Sequence, residues 1–146
     1  MEKILLLHNI ASTFFLTGVI WVVQFVQYPS FAFIDPKSFT KYHDDYRFWI
    51  TPVVAPAMIV ELLTAVFLVL HPPANINPNL IRLALGLTLL IWASTFFVQV
   101  PLHEKLARGF DGETHAALVN TNWIRTAAWS ARSLLVLYFA WLVVRH

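Results

Sequence analysis

The sequence predicts an all-α integral membrane protein, an antiparallel four-helix bundle of up-down-up-down order in a single domain over residues 1–146. Three observations lead there. Apolar residues make up 58% of the chain and charged residues only 12%, about half the charge of an ordinary soluble domain. The mean hydropathy is +0.64, and a soluble chain this short leaves too much surface in water to hide that much apolar area. The apolar residues also fall in four stretches, each matching the roughly 20 residues a helix needs to cross the hydrocarbon.

The first stretch, about 4–28, holds no Lys, Arg, Asp or Glu and stops at Pro29. It follows Met1-Glu2-Lys3 directly, without the short apolar core and small-residue cleavage site of a secretory signal, and so reads as a retained span. The second, about 48–70, ends at His71-Pro72-Pro73; the third covers about 80–100 and the fourth about 118–144. Helices are favoured because open sheet edges cannot satisfy their backbone groups in lipid, and the alternating segments of about 10 residues that build barrels are absent. Of the connections, residues 71–79 (HPPANINPN) form an uncharged, proline-rich turn. Asp35-Pro36 marks a helix start, and SFTKYHDDYR reads as a short helical lead-in that continues into the second span. In PLHEKLARGFDGETH (101–115) the third helix runs toward Arg108, with Gly112 as breaker and Asp111 or Thr114 as the next cap. No internal repeat stands out.

Short connections make neighbouring helices antiparallel. One membrane face then collects five basic residues, Lys37, Lys41, Arg47, Lys105 and Arg108, against three on the other, Lys3, Arg82 and Arg145. The positive-inside count leans toward a cytoplasmic polar face by two residues and leaves orientation open. A bacterial inner membrane is the expected location. A net charge of +2 without a clustered basic face excludes nucleic-acid binding. With no cysteine, disulfides, thiolate ligands and Fe–S clusters are excluded too.

Polar residues inside the spans carry the functional signal. Helical spacing puts His115, Asn122, Arg125, Trp129 and Arg132 on one face of the fourth span, and Thr88, Trp92, Thr95, Gln99 and His103 on one face of the third. Thr13, Thr17, Gln24 and Tyr28 align on the first. Glu61 follows His43 by 18 residues, five helical turns, so the two share a face if Pro52 and Pro56 do not kink the second helix. Lipid forces such seams inward, and an ionisable residue at that depth is a functional candidate by default. Glu61 and Arg132 have similar depths and suit a buried ion pair, whether structural or functional. Arg125 has no acid on a facing span. With Arg132 and Asn122 it suggests a receptor for a carboxylate or phosphate. Gln24, Gln99 and Trp129 are further candidate ligand-binding residues, and Glu61, Tyr46 and Arg125 candidate catalytic groups.

His43, His103 and His115 fall near one membrane face on three segments. Three imidazoles could hold a transition metal, Zn, Cu or Fe, although no HxxxH or ExxH spacing occurs. His8 and His71 lie toward the opposite face, where a haem is the weaker alternative; His146 is terminal. Trp21, Trp49, Trp123 and Trp141 sit where aromatic belts are expected. Trp92 and Trp129 lie deeper, on the seams.

The segments WVVQFVQYPSF, FTKYHDDY, VAPAMIVELL, QVPLHEKLARG and NTNWIRTAAWSARS together resemble small bacterial four-span membrane proteins. The likeness is to the anthrone-oxygenase-like and copper-resistance-D-like groups, which also place a Trp and a Pro-containing segment at the end of the first helix. The first of these implies oxidation of aromatic substrates; no catalytic residue transfers by position. Three function classes follow. One is a metal-dependent membrane oxidoreductase acting on a lipophilic substrate. Another is a non-catalytic accessory protein that binds lipid, quinone or haem in a membrane complex. The third, transport, lacks the paired broken helices typical of transporters unless the chain forms a homo-oligomer. The expected partners are membrane lipid and a lipophilic or anionic small molecule.

Overall fold

Each apolar stretch becomes part of a longer helix. In the computed structural model, which describes residues 2–145, α1 spans Lys3–Phe33, α2 Pro36–Leu70, α3 Pro78–Leu106 and α4 Gly112–Val144. No strand occurs among the described residues, and His146 lies outside them. The helix starts follow from their caps. Asp35 accepts from the Lys37 amide ahead of α2, Asn77 from the Asn79 amide ahead of α3, and Asp111 from the Thr114 amide at 2.8 Å ahead of α4. Pro36 and Pro78 occupy the first helical position, where a missing N–H loses nothing. The lead-in merges with the second span into one helix that runs unbroken through Pro52 and Pro56. His43 and Glu61 therefore both point inward, each fully buried.

α1 continues past Pro29, its expected end, and α3 continues through Pro101 toward Arg108 as expected, stopping at Leu106. In each, a five-residue π turn precedes the proline, over Val23–Gln27 and Thr95–Gln99. The Tyr28 amide bonds to the Val23 carbonyl and the Val100 amide to the Thr95 carbonyl, five residues back rather than four. A proline ring collides with the carbonyl four residues before it. The widened turn relieves that collision and lets the helix continue, and such turns are frequent at functional sites. This device also corrects the expectation of no internal repeat. Val26-Gln27-Tyr28-Pro29 matches Val98-Gln99-Val100-Pro101, and His43 follows Pro29 by the same 14 residues as His115 follows Pro101.

α1 packs on α2 and α4, and α3 packs on the same two helices. Near the turn between α2 and α3 the core is built from Leu6, Leu68, Ile81, Val136 and Phe139. Toward the polar end a second core gathers Ile20, Phe31, Phe39, Met58, Leu106 and Leu118. The outer surface carries exposed Leu63, Phe97 and Leu134. Such rows would be unstable in water and are ordinary against acyl chains.

Candidate functional site

Two polar networks occupy the bundle interior, and they differ in completeness. The deeper one centres on Glu61 and Arg132, both fully buried, with Arg132 Nε 2.9 Å from Glu61 Oε1. Arg132 also donates from Nη1 to the Ala84 carbonyl at 2.7 Å and from Nη2 to Asn9 Oδ1 at 3.0 Å. Glu61 accepts from Thr13 at 2.8 Å and from Trp129 Nε1 at 3.2 Å. Asn9 returns bonds to the Glu61 carbonyl and to Thr64. Every helix contributes, and each nitrogen of the guanidinium and each carboxylate oxygen has a partner. A buried pair so completely engaged locks helices together. Neither Glu61 nor Arg132 lines the cavity described below.

The second network lies toward the polar face and is built around Arg125 on α4, which is 8% exposed. Asn122 Oδ1 accepts from Nε at 2.9 Å and from Nη2. Nη2 also donates to the Tyr28 hydroxyl at 3.0 Å. Contacts to Gln99 Oε1 and Thr95 Oγ1, both 3.4 Å, are at the long limit of a hydrogen bond. Behind Arg125, Asn122 donates to Gln24 at 2.8 Å, and Gln24 donates to the Val119 carbonyl. The π turns flank this arrangement, the one on α1 ending just before Tyr28 and the one on α3 at Gln99. Among the described residues the only ion pair is Glu61–Arg132. Arg125 is thus a buried cation held by neutral acceptors.

Arg125 heads a cavity of about 220 Å³. Its polar end is made by Arg125, Tyr28, Thr95, Gln99 and His103, with Arg47 and Tyr46 from α2. Its walls are apolar, among them Leu16, Ile20, Val54 and Met58, with Trp129 alongside. Trp129 therefore separates the two networks: it lines the cavity, and its Nε1 is tied to Glu61. Between α1 and α2 a groove lined by Phe14, Phe15, Gly18, Val22 and Val53 shares Val19, Val23, Tyr46 and Ile50 with the cavity. Phe14, Phe15, Val22 and Val53 belong to the exposed surface that faces lipid. The absent side chain at Gly18, where an added Cβ would meet nothing within 4 Å, keeps this groove wide.

The histidines separate into a pair and an outlier. His43 Nε2 and His103 Nδ1 lie 2.9 Å apart, and His103 Nε2 lies 2.9 Å from the Tyr28 hydroxyl. His115 Nε2 instead meets the Tyr28 carbonyl at 2.8 Å. His103 has both ring nitrogens engaged, so the three do not converge as a ligand set. Among the described residues no group of three or more His, Asp or Glu side chains is placed to hold a metal ion. His8 bonds to the Ile4 carbonyl and His71 stacks on Phe67, both away from this site.

Of the residues singled out from sequence, Tyr46, Gln99, Arg125, Trp129 and His103 line the cavity. Gln24 and Asn122 stand behind it as supports for Arg125. Tyr28 and Arg47, at the polar end of the cavity, escaped the sequence reading as site residues. Tyr28 was visible only as the last member of the first seam, and Arg47 only as a charge at the polar face. The fold and site define an integral membrane four-helix bundle with an amphipathic cavity that adjoins a groove on its apolar outer surface. No protein-family model, curated protein or solved structure matches the chain.

Proposed function

We propose that the protein binds a single-chain amphiphile with a carboxylate or similar oxygen-anion head, in the manner of a non-catalytic lipid-binding membrane protein. The observation that carries this reading is Arg125, a buried guanidinium at the head of the cavity with no acid beside it. A buried charge without a counter-charge is strongly destabilising, and a planar guanidinium is well suited to a carboxylate. Its two weakest contacts, to Thr95 and Gln99, involve residues that also line the cavity, so that edge of the fork is the least engaged. Arg47 adds positive charge at the same end. The apolar walls suit an acyl chain, and the α1–α2 groove gives it a route from lipid without crossing water. A cavity of about 220 Å³ is small beside the roughly 300–1,000 Å³ of drug-sized sites, so part of the chain would lie in the groove.

Hexadecanoate carrying ¹³C at its carboxyl, added to protein in zwitterionic-lipid nanodiscs, tests this. Saturable binding is expected, with loss for the methyl ester and for Arg125→Met. Ile20→Trp fills the cavity without touching its polar end and should also abolish binding. If the ester binds as well as the acid, or Ile20→Trp binds normally, the reading fails.

A further inference from the structure

From the polar end of the cavity a hydrogen-bonded chain leads away, with a missing partner at its far end. It runs from the Tyr28 hydroxyl to His103 Nε2 at 2.9 Å, then from His103 Nδ1 to His43 Nε2 at 2.9 Å. His43 Nδ1 has no hydrogen-bond partner, although His43 is fully buried. Orphaned buried polar groups are rare and call for a reason. The chain crosses three helices: Tyr28 on α1, His43 on α2 and His103 on α3. Tyr28 and His103 line the cavity, and His43 does not.

Proton counting gives this chain two states when both imidazoles are neutral. Tyr28 already accepts from Arg125 Nη2 at 3.0 Å. In the first state its own proton goes to His103 Nε2; His103 then donates from Nδ1 to His43 Nε2, and His43 is left with an unpartnered Nδ1–H. In the second the Tyr28 proton points into the cavity. His103 donates from Nε2 to Tyr28, His43 donates from Nε2 to His103, and His43 keeps only a bare lone pair at Nδ1. Unpaired buried N–H groups are rarer than under-used acceptors. The second state is therefore favoured once an oxygen acceptor in the cavity takes the Tyr28 proton. Charged and titratable neighbours on every side are consistent with neutral rings: Arg125 on α4 and Arg47 on α2 line the cavity beside His103, while Tyr46 packs against it. His115 on α4 holds the Tyr28 carbonyl, and Asp44, next to His43, is exposed.

Building on the carboxylate-binding reading, we infer that Tyr28, His103 and His43 form a proton path that delivers a proton to the head group bound at Arg125. Delivery starts from the second state and ends in the first. The Tyr28 O–H bond breaks and a carboxyl O–H bond forms on the ligand. His103 Nε2–H refills Tyr28, His43 Nε2–H refills His103 Nδ1, and a proton from the polar face adds to His43 Nδ1. The ligand leaves as the neutral acid, and no charge remains on the path. The outer end is covered rather than open. Phe39 stacks on His43 at 5.5 Å and Phe31 packs edge-on, while Phe110, on the connection between α3 and α4, packs on Phe39 and is partly exposed. Movement of these rings admits the proton.

The test is ¹⁵N NMR of histidine-labelled protein in nanodiscs, with and without hexadecanoate, at a pH where the bound acid remains ionised. His43 and His103 should exchange their protonated nitrogens together, from Nδ1–H without hexadecanoate to Nε2–H with it. Tyr28→Phe should still bind hexadecanoate through Arg125, with neither ring switching. His103→Asn, which interrupts the chain at its middle, should hold His43 in one tautomer under both conditions. Binding with no switch, a switch in one ring alone, or a switch that survives Tyr28→Phe would each overturn the path while leaving the binding reading intact. Absence of hexadecanoate binding to the unaltered protein would overturn both.

Discussion

Replacing Arg132 with leucine removes three donated bonds at once, to Glu61, Ala84 and Asn9. It also leaves a fully buried carboxylate facing only Thr13 and Trp129. Breaking a buried pair from one side costs about 3–5 kcal/mol, because the remaining charge is uncompensated. Glu61→Gln, which leaves the cation, should cost a similar amount. The informative quantity is the coupling between them. Interhelical hydrogen bonds between neutral groups in membrane proteins reach at most about 1.7 kcal/mol in double-mutant cycles, so a coupling of about 2–4 kcal/mol identifies a true ion pair. Reversible unfolding of Arg132→Leu, Glu61→Gln and the double variant in mixed micelles measures it. The double variant should be clearly more stable than the sum of the single effects allows. Additivity within about 0.5 kcal/mol would refute the reasoning, since two charges 2.9 Å apart at zero exposure cannot be independent.

Three shorter predictions concern the rest of the molecule. Cysteines at the exposed positions Lys37 and Arg108 should be labelled from one side of the membrane and a cysteine at Asn75 from the other; labelling of all three from one side would contradict the four-span bundle. Gly18→Trp should slow hexadecanoate entry by closing the α1–α2 groove while leaving the melting temperature unchanged, since the substituted position has open space around it; unchanged entry kinetics would move the portal elsewhere. The Asp111 carboxyl lies below the usual carboxylate range because the Thr114 side chain and then the Thr114 amide donate to it. A depressed folded value means that its contribution is present above the unfolded value of about 3.9 and is lost as pH falls through the folded one. Protection of the Thr114 and His115 amides, taken relative to the intrinsic exchange rate at each pH, should therefore fall in acid, and Asp111→Ala should remove that pH dependence.

The helical bundle was legible because lipid imposes a simple demand: backbone groups must pair within the segment, and apolar length reports the crossing. The helix ends were not. Pro29 read as a stop under the rule for α-turns, and the π turn before it absorbs the clash that the rule assumes, as a second π turn does before Pro101 in the helix expected to run on toward Arg108. The repeat was hidden for a related reason, since its marks are two short Val-Gln-X-Pro strings and a spacing, with little likeness between them. Matching depth was enough to bring Glu61 and Arg132 together. Seam spacing also grouped Arg132 with Arg125, but a helical face is broad, and Trp129 between them divides it into two environments. Alternating helix direction put His43 and His103 at one end; it could not specify that they bond to each other while His115 turns to a carbonyl. Arg47 looked like a surface charge because the inward turn of its side chain depends on how α2 packs, which periodicity does not report.

The two arginines on α4 show how the same residue type, two turns apart on one helix, reaches different ends. Arg132 stands where each of the other three helices brings an acceptor, one of them charged, and its geometry leaves nothing to be added. Arg125 stands where the π turns widen α1 and α3 and where the cavity adjoins the outer groove between α1 and α2. Its acceptors are neutral, and two of them lie at 3.4 Å. If stability alone had shaped both positions, a carboxylate beside Arg125 would have been the economical solution, as Glu61 is for Arg132. The missing counter-charge, the adjoining cavity and the unpartnered Nδ1 of His43 at the end of the chain from Tyr28 lie within one connected network. A single oxygen acceptor placed against Arg125 and Tyr28 would address the first directly and the last through the tautomers of His103 and His43. That convergence is why the polar end of this cavity, rather than the buried ion pair, is the place to look for function.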